Sequence, residues 1–540
     1  MPLPFCPKGM SLKSKFFTLI IVVIIFYMIS SFTLFQHKIS NKNAIRNIKQ
    51  LKLDNVVVHL DLKGSPPKLS YLKTLLPKLR DLGVTGLLIE YEDMFPYDGK
   101  LLNLSARNCY KKPELQEFLS LAVRVGFDII PLVQTFGHME YALKLPEFQH
   151  LRELPGYPDS LCPSKHESRM FVEEMLEQIV KFHGKITPLK YLHIGCDEVF
   201  HINKCKHCLE KKLKNMDIYL SHVRGVTDYI KAISPETEIL AWDDMFRGIP
   251  VSLWNTTHHP DIDLVYWDYT PGITTVSHVN LMKYHKTIKN IWIASAFKGA
   301  DGRTATYPDL RNRFSNHFSW TNLILDYTFG GESEIYNFKG IILTGWSRYS
   351  HMDPPCELLP VAIPSLYLNL LLIKQFKKGV ESNKRLDLNT FFVIYMKKDL
   401  AENLHCGETN DIDYFDTYHC YFDGNELNQL LKHWDTIETN ILYTINKVES
   451  SLSTIDYYSK TKNINMNMLL DSLNWYKESM KEIMNMKKRM IKFFSRYYDD
   501  YFVEEYTNLK LHNTKKILDN IAKHLKNMLS VRNWDRRPYK

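Results

Sequence analysis

The segment Tyr191–Phe200, YLHIGCDEVF, opens as an apolar run and closes on two adjacent carboxylates, Asp197 and Glu198. Seven other stretches share this form: NVVVHLDL (Asn55–Leu62), GLLIEYE (Gly86–Glu92), FDIIPLVQ (Phe127–Gln134), EILAWDD (Glu238–Asp244), DLVYWDY (Asp263–Tyr269), IWIASAF (Ile291–Phe297) and GIILTGW (Gly340–Trp346). Most are nearly continuous apolar runs rather than alternating ones, the pattern of parallel strands buried on both faces. Helical segments lie between several of them, such as YLKTLLPKLRDLG with Pro77 inside it, and SRMFVEEMLEQIVKFHG. Eight strands alternating with helices predict an α/β fold of the (β/α)8 TIM-barrel type, with a doubly wound open sheet as the rival. Polar and aromatic residues gather at the C-terminal end of almost every run. A barrel builds its site there from many strands, whereas an open sheet uses chiefly its switch point.

Around this core the chain changes character twice. Phe16–Phe35, FFTLIIVVIIFYMISSFTLF, is an uncharged apolar run of about 20 residues, long enough to cross a bilayer as a helix. Lys8, Lys13 and Lys15 precede it and favour a cytoplasmic N-terminus. The predicted organisation is a cytoplasmic tail (1–15), a transmembrane signal anchor (16–36), a polar stem (37–52), the catalytic barrel (53–370) and a helical C-terminal region (371–540). This order makes a single-pass type II membrane protein with its barrel in a lumenal compartment of the secretory pathway; a cleaved signal peptide is the alternative, and Lys38, Lys42 and Arg46 after the run keep charge alone from deciding. The sequons Asn103-Leu104-Ser105 and Asn255-Thr256-Thr257 are compatible with such a location.

The formal charge of +9 over 540 residues is modest and spread along the chain, which argues against nucleic acid as a partner. Of the nine cysteines, Cys205 and Cys208 form a CxxC in KCKHCLE with no second CxxC, read as a local disulfide or free thiols rather than half a zinc site. Cys406 and Cys420 could close a second loop in an oxidising lumen. No metal or other cofactor is implied, and the oligomeric state is left open.

The strand ends carry the chemistry. They bring Asp61 and Lys63, then Glu90, Glu92 and Asp93, then Gln134 and His138, then Asp197 and Glu198. Later strands add Trp242 with Asp243 and Asp244, Trp267 with Asp268, and Trp346 with Arg348. Indole rings stack on the apolar faces of sugars, while carboxylates bind hydroxyls and move protons, so the set points to a glycan site. Any one of these residues alone reads as a solvated turn or a core side chain. Neighbouring strand residues also point to opposite faces, so Asp197 and Glu198 can share the mouth only if the backbone turns there.

HIGCDEV (His193–Val199) resembles the H-x-G-x-D-E motif of glycoside hydrolase family 20, the β-N-acetylhexosaminidases. GSPPKLSYL, LLIEYEDMFPY, PLVQTFGHMEYAL, AWDDM and GWSRY resemble the hexosaminidase D branch, and the likeness spans residues 54 to 365. The resemblance implies an exo-acting enzyme that removes terminal β-linked GlcNAc or GalNAc by a retaining, substrate-assisted mechanism. Glu198 would be the acid and base, and Asp197 would hold the acetamido group. His138 and Asp93 would support the pair and contact the sugar, and Trp242, Trp267 and Trp346 would wall the pocket. The chain departs from the broader family in two places: Lys63 stands where many members carry Arg, and Phe297 where many carry Tyr. Tyr266 or Tyr269 is the expected substitute for that missing hydroxyl. A catalytically inactive glycan-binding barrel is the alternative from another class.

Overall fold

The computed structural model describes residues 48–49, 51–254, 258–329, 336, 338–381, 387–407, 415, 417, 419–459, 465–534 and 536. The expected anchor, residues 16–36, and the sequon at Asn255 lie outside these; among the described residues no helix is long and apolar enough to cross a membrane.

Eight parallel strands close a barrel: β1 (Asn55–Asp61), β2 (Gly86–Glu90), β3 (Asp128–Leu132), β4 (Tyr191–His193), β5 (Glu238–Trp242), β6 (Asp263–Trp267), β7 (Ile291–Lys298) and β8 (Phe338–Gly345). Each pairs with its successor in sequence, and β8 pairs with β1 through Gly340–Asn55 to Leu343–Val58. The open-sheet rival is thereby excluded. Every residue of β1 and β2 is buried, which accounts for their unbroken apolar sequences. The barrel interior is filled by side chains including Val57, Leu88, Ile130, Leu132, Tyr191, Leu240, Trp242, Val265, Trp292 and Ile342. It is a packed core, so only the strand ends are open to chemistry.

The principal outer helices are α1 (Leu69–Asp81), α2 (Lys112–Val125), α3 (His166–Gly184), α4 (Asn215–Ile233), α5 (His278–His285), α6 (Leu310–Phe329) and α7 (Ile363–Lys378). Pro77 lies inside α1 without ending it, and α7 carries the barrel layer past residue 370. The helical C-terminal region contains three long helices, α8 (Asn425–Ser459), α9 (Met466–Phe494) and α10 (Asp500–Met528), which belong to the same compact unit as the barrel. They meet its rim through polar contacts. Tyr307 donates to Asp435 at 2.8 Å, Lys510 to Thr306 at 2.6 Å, and Asn108 to Asp499 at 2.9 Å. In a separate small unit, Ile48–Lys49 from the expected stem pairs antiparallel with Val380–Glu381. Cys406 and Cys420 are joined by a disulfide, whereas Cys205 and Cys208 remain thiols.

Candidate active site

β4 stops at His193, and the chain then leaves strand geometry. Gly195, Cys196 and Glu198 all take positive φ, at 67°, 68° and 45°. A left-handed residue other than glycine costs on the order of 1 kcal/mol or more, so such a run persists only where its surroundings hold it. Here Thr135 donates to the Ile194 carbonyl at 2.8 Å, Tyr219 to the Cys196 carbonyl at 2.8 Å, and the Glu198 N–H to Asp244 at 2.9 Å. This turn overrides strand alternation and lets both carboxylates face the mouth. Two glycines let neighbouring chain approach it. A Cβ on Gly195 would lie 1.9 Å from the Gln134 Oε1, and one on Gly137 would lie 2.1 Å from the Asp197 carbonyl oxygen.

His138, also left-handed at φ 52°, follows that close approach. Its Nε2 sits 3.3 Å from Asp197 Oδ2 and 3.3 Å from Glu198 Oε2. Burial opposes the imidazolium, but the charge of Asp197 and hydrogen bonds to both carboxylates hold the His138 pKa well above its ordinary value. The hydrogen bond from His138 in turn lowers the pKa of Glu198, against the effect of its partial burial. Asp197 is nearly enclosed, whereas the Glu198 side chain is 38% exposed. Behind the pair, burial and the Asp197 charge raise the Asp244 carboxyl well above the usual carboxylate range. Its two oxygens accept from the Glu198 N–H and, at 3.4 Å, from the Trp267 indole.

The pair opens into a cavity of about 710 Å³ whose walls include Trp242, Trp267, Trp346, Tyr269, Lys63 and Arg313. Trp267 stacks on Tyr269 with ring centroids 5.2 Å apart, and Trp242 and Trp346 meet at 5.8 Å. Asp197 Oδ1 and Trp242 Nε1 are buried without a hydrogen-bond partner among the described residues. Unmatched buried acceptors and donors are costly, so an unpaired acceptor and an unpaired donor on two residues that line one cavity suit a ligand that offers both.

Three sequence-named residues are placed differently from the pair. Lys63 does line the cavity, but its ammonium is buried 3.4 Å from Glu92 Oε1, in a polar cluster under the mouth. That cluster includes Glu90, bound by His59 at 3.0 Å and Gln134 at 3.1 Å; burial opposes its charge, yet these bonds and Lys63 hold its pKa down. Asp93 lies behind the cavity wall, 3.7 Å from His351 Nδ1 and 3.9 Å from Lys144 Nζ, with burial raising its pKa to about 6. Tyr266 is turned away altogether. It alternates with the inward Trp267 on β6, so it faces the helix layer, where its hydroxyl accepts from the Ser277 N–H at 3.1 Å and Arg247 lies over its ring. Of the two tyrosines weighed, Tyr269 reaches the cavity. Phe297 is buried against Gly345. Asp244 is the contributor that sequence reasoning left without a role. Its signal was the doubled Asp243-Asp244: Asp243 is consumed by Arg247 at 2.7 Å, which leaves the second carboxylate for the Glu198 loop.

The model of glycosyl hydrolase family 20, catalytic domain, matches residues 74–284. Human hexosaminidase D is 42% identical over 335 residues, covering 60% of this chain and 67% of the relative. Hexosaminidase D of Bos taurus is 40% identical over 335 residues, covering 60% of this chain and 94% of the relative. A solved β-N-acetylhexosaminidase from Bacteroides fragilis NCTC 9343 aligns with a TM-score of 0.48 at 15% identity, covering 68% of this chain and 75% of that one. With motif, barrel and relatives in agreement, the chain belongs to glycosyl hydrolase family 20 and is a hexosaminidase D-like glycoside hydrolase, a β-N-acetylhexosaminidase.

Proposed function

We propose that the enzyme removes terminal β-linked N-acetylhexosamine, GlcNAc or GalNAc, from glycoconjugates with retention, using the sugar's own acetamido carbonyl as nucleophile. The observation that carries this reading is the single loop that puts Asp197 and Glu198 on one His138 nitrogen while Asp197 Oδ1 keeps no hydrogen-bond partner among the described residues. Carboxylates that flank a scissile bond across a water, as inverting enzymes require, stand about 6.5–9.5 Å apart on opposite faces. This pair shares one face.

In the proposed reaction Glu198 protonates the departing glycosidic oxygen as the acetamido oxygen attacks the anomeric carbon. Asp197 accepts the acetamido N–H, steering that oxygen and offsetting the positive charge of the cyclic oxazolinium. Glu198 then removes a proton from water, which opens the ring with net retention. The free site holds Glu198 as a carboxylate beside His138. A substrate covering its exposed flank removes water and raises its pKa, so binding itself prepares the acid. The tryptophans stack on the sugar and exclude water. The apolar run Phe16–Phe35 supports a type II anchor that holds this barrel in a lumenal compartment.

Hydrolysis of an aryl N-acetyl-β-hexosaminide tests the reading, with a thiazoline mimic of the bicyclic intermediate as inhibitor. Glu198→Gln abolishes turnover, and Asp197→Asn lowers kcat by about 10²-fold or more, the scale of a lost electrostatic partner at the developing charge. Equal cleavage of a substrate lacking the acetamido group, with no thiazoline inhibition, would instead mark a two-carboxylate glycosidase.

A further inference from the structure

Outside the mouth, a buried cluster joins three thiols to a carboxylate. Cys162, Cys205, Cys208 and Glu153 each present a ligand atom, all within 4.8 Å of one another. Cys162 Sγ lies 3.3 Å from Cys205 Sγ and 3.7 Å from Cys208 Sγ, and Glu153 Oε2 lies 3.3 Å from Cys208 Sγ. Cys162, Cys208 and Glu153 are essentially excluded from solvent. We infer that these four residues form a closed structural zinc site.

Geometry and chemistry both favour the metal over a disulfide. A tetrahedral zinc with Zn–S of about 2.3 Å and Zn–O of about 2.0 Å sets S···S edges of about 3.8 Å and S···O edges of about 3.5 Å. The S···S separations of 3.3 and 3.7 Å and the S···O separation of 3.3 Å lie within about 0.5 Å of these edges. A disulfide would use two of the three sulfurs and leave the third, with a buried carboxylate, unexplained. Glu153 is held for the task. Its Oε1 accepts the backbone N–H groups of Lys204 and Cys205, which aims Oε2 at the thiols. Its Oε2 faces thiols, which are weak donors, and a cation there is a far stronger partner for it. The Cys208 N–H donates to Cys205 Sγ at 3.4 Å, spreading the negative charge a thiolate would carry. On binding, each thiol releases its proton to water and the carboxylate binds as it stands, so no oxidant or reductant is required.

The site's position gives it a purpose. Glu153 and Cys162 belong to the hairpin Arg152–Leu154/Tyr157–Leu161 and its end; Cys205 and Cys208 follow the Asp197–Glu198 turn. That hairpin already touches both loops that converge on the pair. The Leu161 N–H donates to the Phe136 carbonyl at 3.0 Å and the Met139 N–H to the Asp159 carbonyl at 3.0 Å, while His201 Nδ1 lies 2.9 Å from Asp159 Oδ1. Zinc would lock the hairpin to the Glu198 loop, leaving His138 and the two carboxylates on a common frame.

Full-length protein purified in detergent with reductant and without chelator tests this by elemental analysis and by zinc release with an organomercurial. The expected result is about one zinc per chain, set free as three thiols are titrated. Cys162→Ser and Cys208→Ser lose the metal, and Cys109→Ser, outside the cluster, retains it. The wild-type release measurement decides even if a variant fails to fold. Less than about a tenth of an equivalent of zinc in the wild type, or a disulfide at Cys162 in peptide mapping, overturns the assignment. Neither readout depends on which glycoside is cleaved.

Discussion

Gly137→Ala should separate the support of the site from its chemistry. The added Cβ would stand 2.1 Å from the Asp197 carbonyl oxygen and 3.4 Å from the carbonyl carbons of Asp197 and Glu198. A carbon–oxygen contact settles at about 3.3 Å, so His138's loop and the carboxylate turn must part by about 1.2 Å. Neither side yields cheaply, since both contacting groups are backbone rather than the end of a flexible side chain. A misplacement of about 1 Å at reacting groups costs about 10²-fold in rate, whereas a strained core insertion costs about 1–3 kcal/mol of stability. The expected variant is folded, slightly less stable, and about 10²-fold lower in kcat on an aryl N-acetyl-β-hexosaminide, with KM little changed. Gly156→Ala, whose Cβ would meet nothing within 4 Å, serves as the control and should match wild type. Turnover by Gly137→Ala within about threefold of wild type would show that this close approach does not set the carboxylates' positions.

His138→Gln should expose a pH signature in urea unfolding. The His138 pKa is raised above 6.5, so its stabilisation is complete below that pH and fades as pH rises through the higher folded value. The Glu198 pKa is lowered from 4.5, so its share is complete above that pH and fades on further acidification. The stability gap between wild type and variant is therefore widest between pH 4.5 and 6.5 and narrows at alkaline pH; a gap that grows with pH contradicts the pairing. Tyr269→Phe should lower kcat/KM by about tenfold, equivalent to about 1.4 kcal/mol, while Tyr266→Phe leaves kcat/KM unchanged and costs about 1 kcal/mol of stability. Reversal of those two outcomes in steady-state kinetics would mean that the wrong tyrosine has been placed at the cavity. Gly225→Ala, inside α4 with nothing within 4 Å of the added methyl, should raise stability by about 0.4–1 kcal/mol at constant activity, read by thermal unfolding.

The barrel was legible because burial on both faces leaves an unmistakable trace: β1 and β8 read as apolar runs, and apolar runs of strand length separated by helices admit few closures. The carboxylate pair was legible only in company: an Asp-Glu at one strand end reads as a solvated turn until the other strand ends bring tryptophans and further carboxylates to the same mouth. Legibility failed where one residue of register decides direction. Tyr266 and Tyr269 are equally plausible by type, yet Tyr266 lies within β6 with its side chain outward and Tyr269 lies beyond the strand end, where alternation no longer applies. Asp243 and Asp244 diverge similarly, because a helical turn begins between them. Asp93, placed near the sugar by the family resemblance, lies inside a short 3-10 turn (Glu92–Met94), a local bend that the sequence does not announce. The cysteine cluster was hidden for another reason. Cys162 completes the CxxC from across a hairpin, and no local spacing announces a ligand brought in by tertiary folding.

Arg348, on the cavity wall, donates to the carbonyls of Lys63 and Gly64 just past β1 and to Glu505 of α10. Nearby, Lys68 donates to the Ser495 carbonyl and Pro67 bridges to Tyr498. The first strand's exit loop is thus stitched to a helix that leaves the ribosome long after it. During synthesis that corner of the rim stays unfinished until the C-terminal helices emerge, so ribosome-stalled chains ending before α9 carry every candidate carboxylate yet lack the brace beside it.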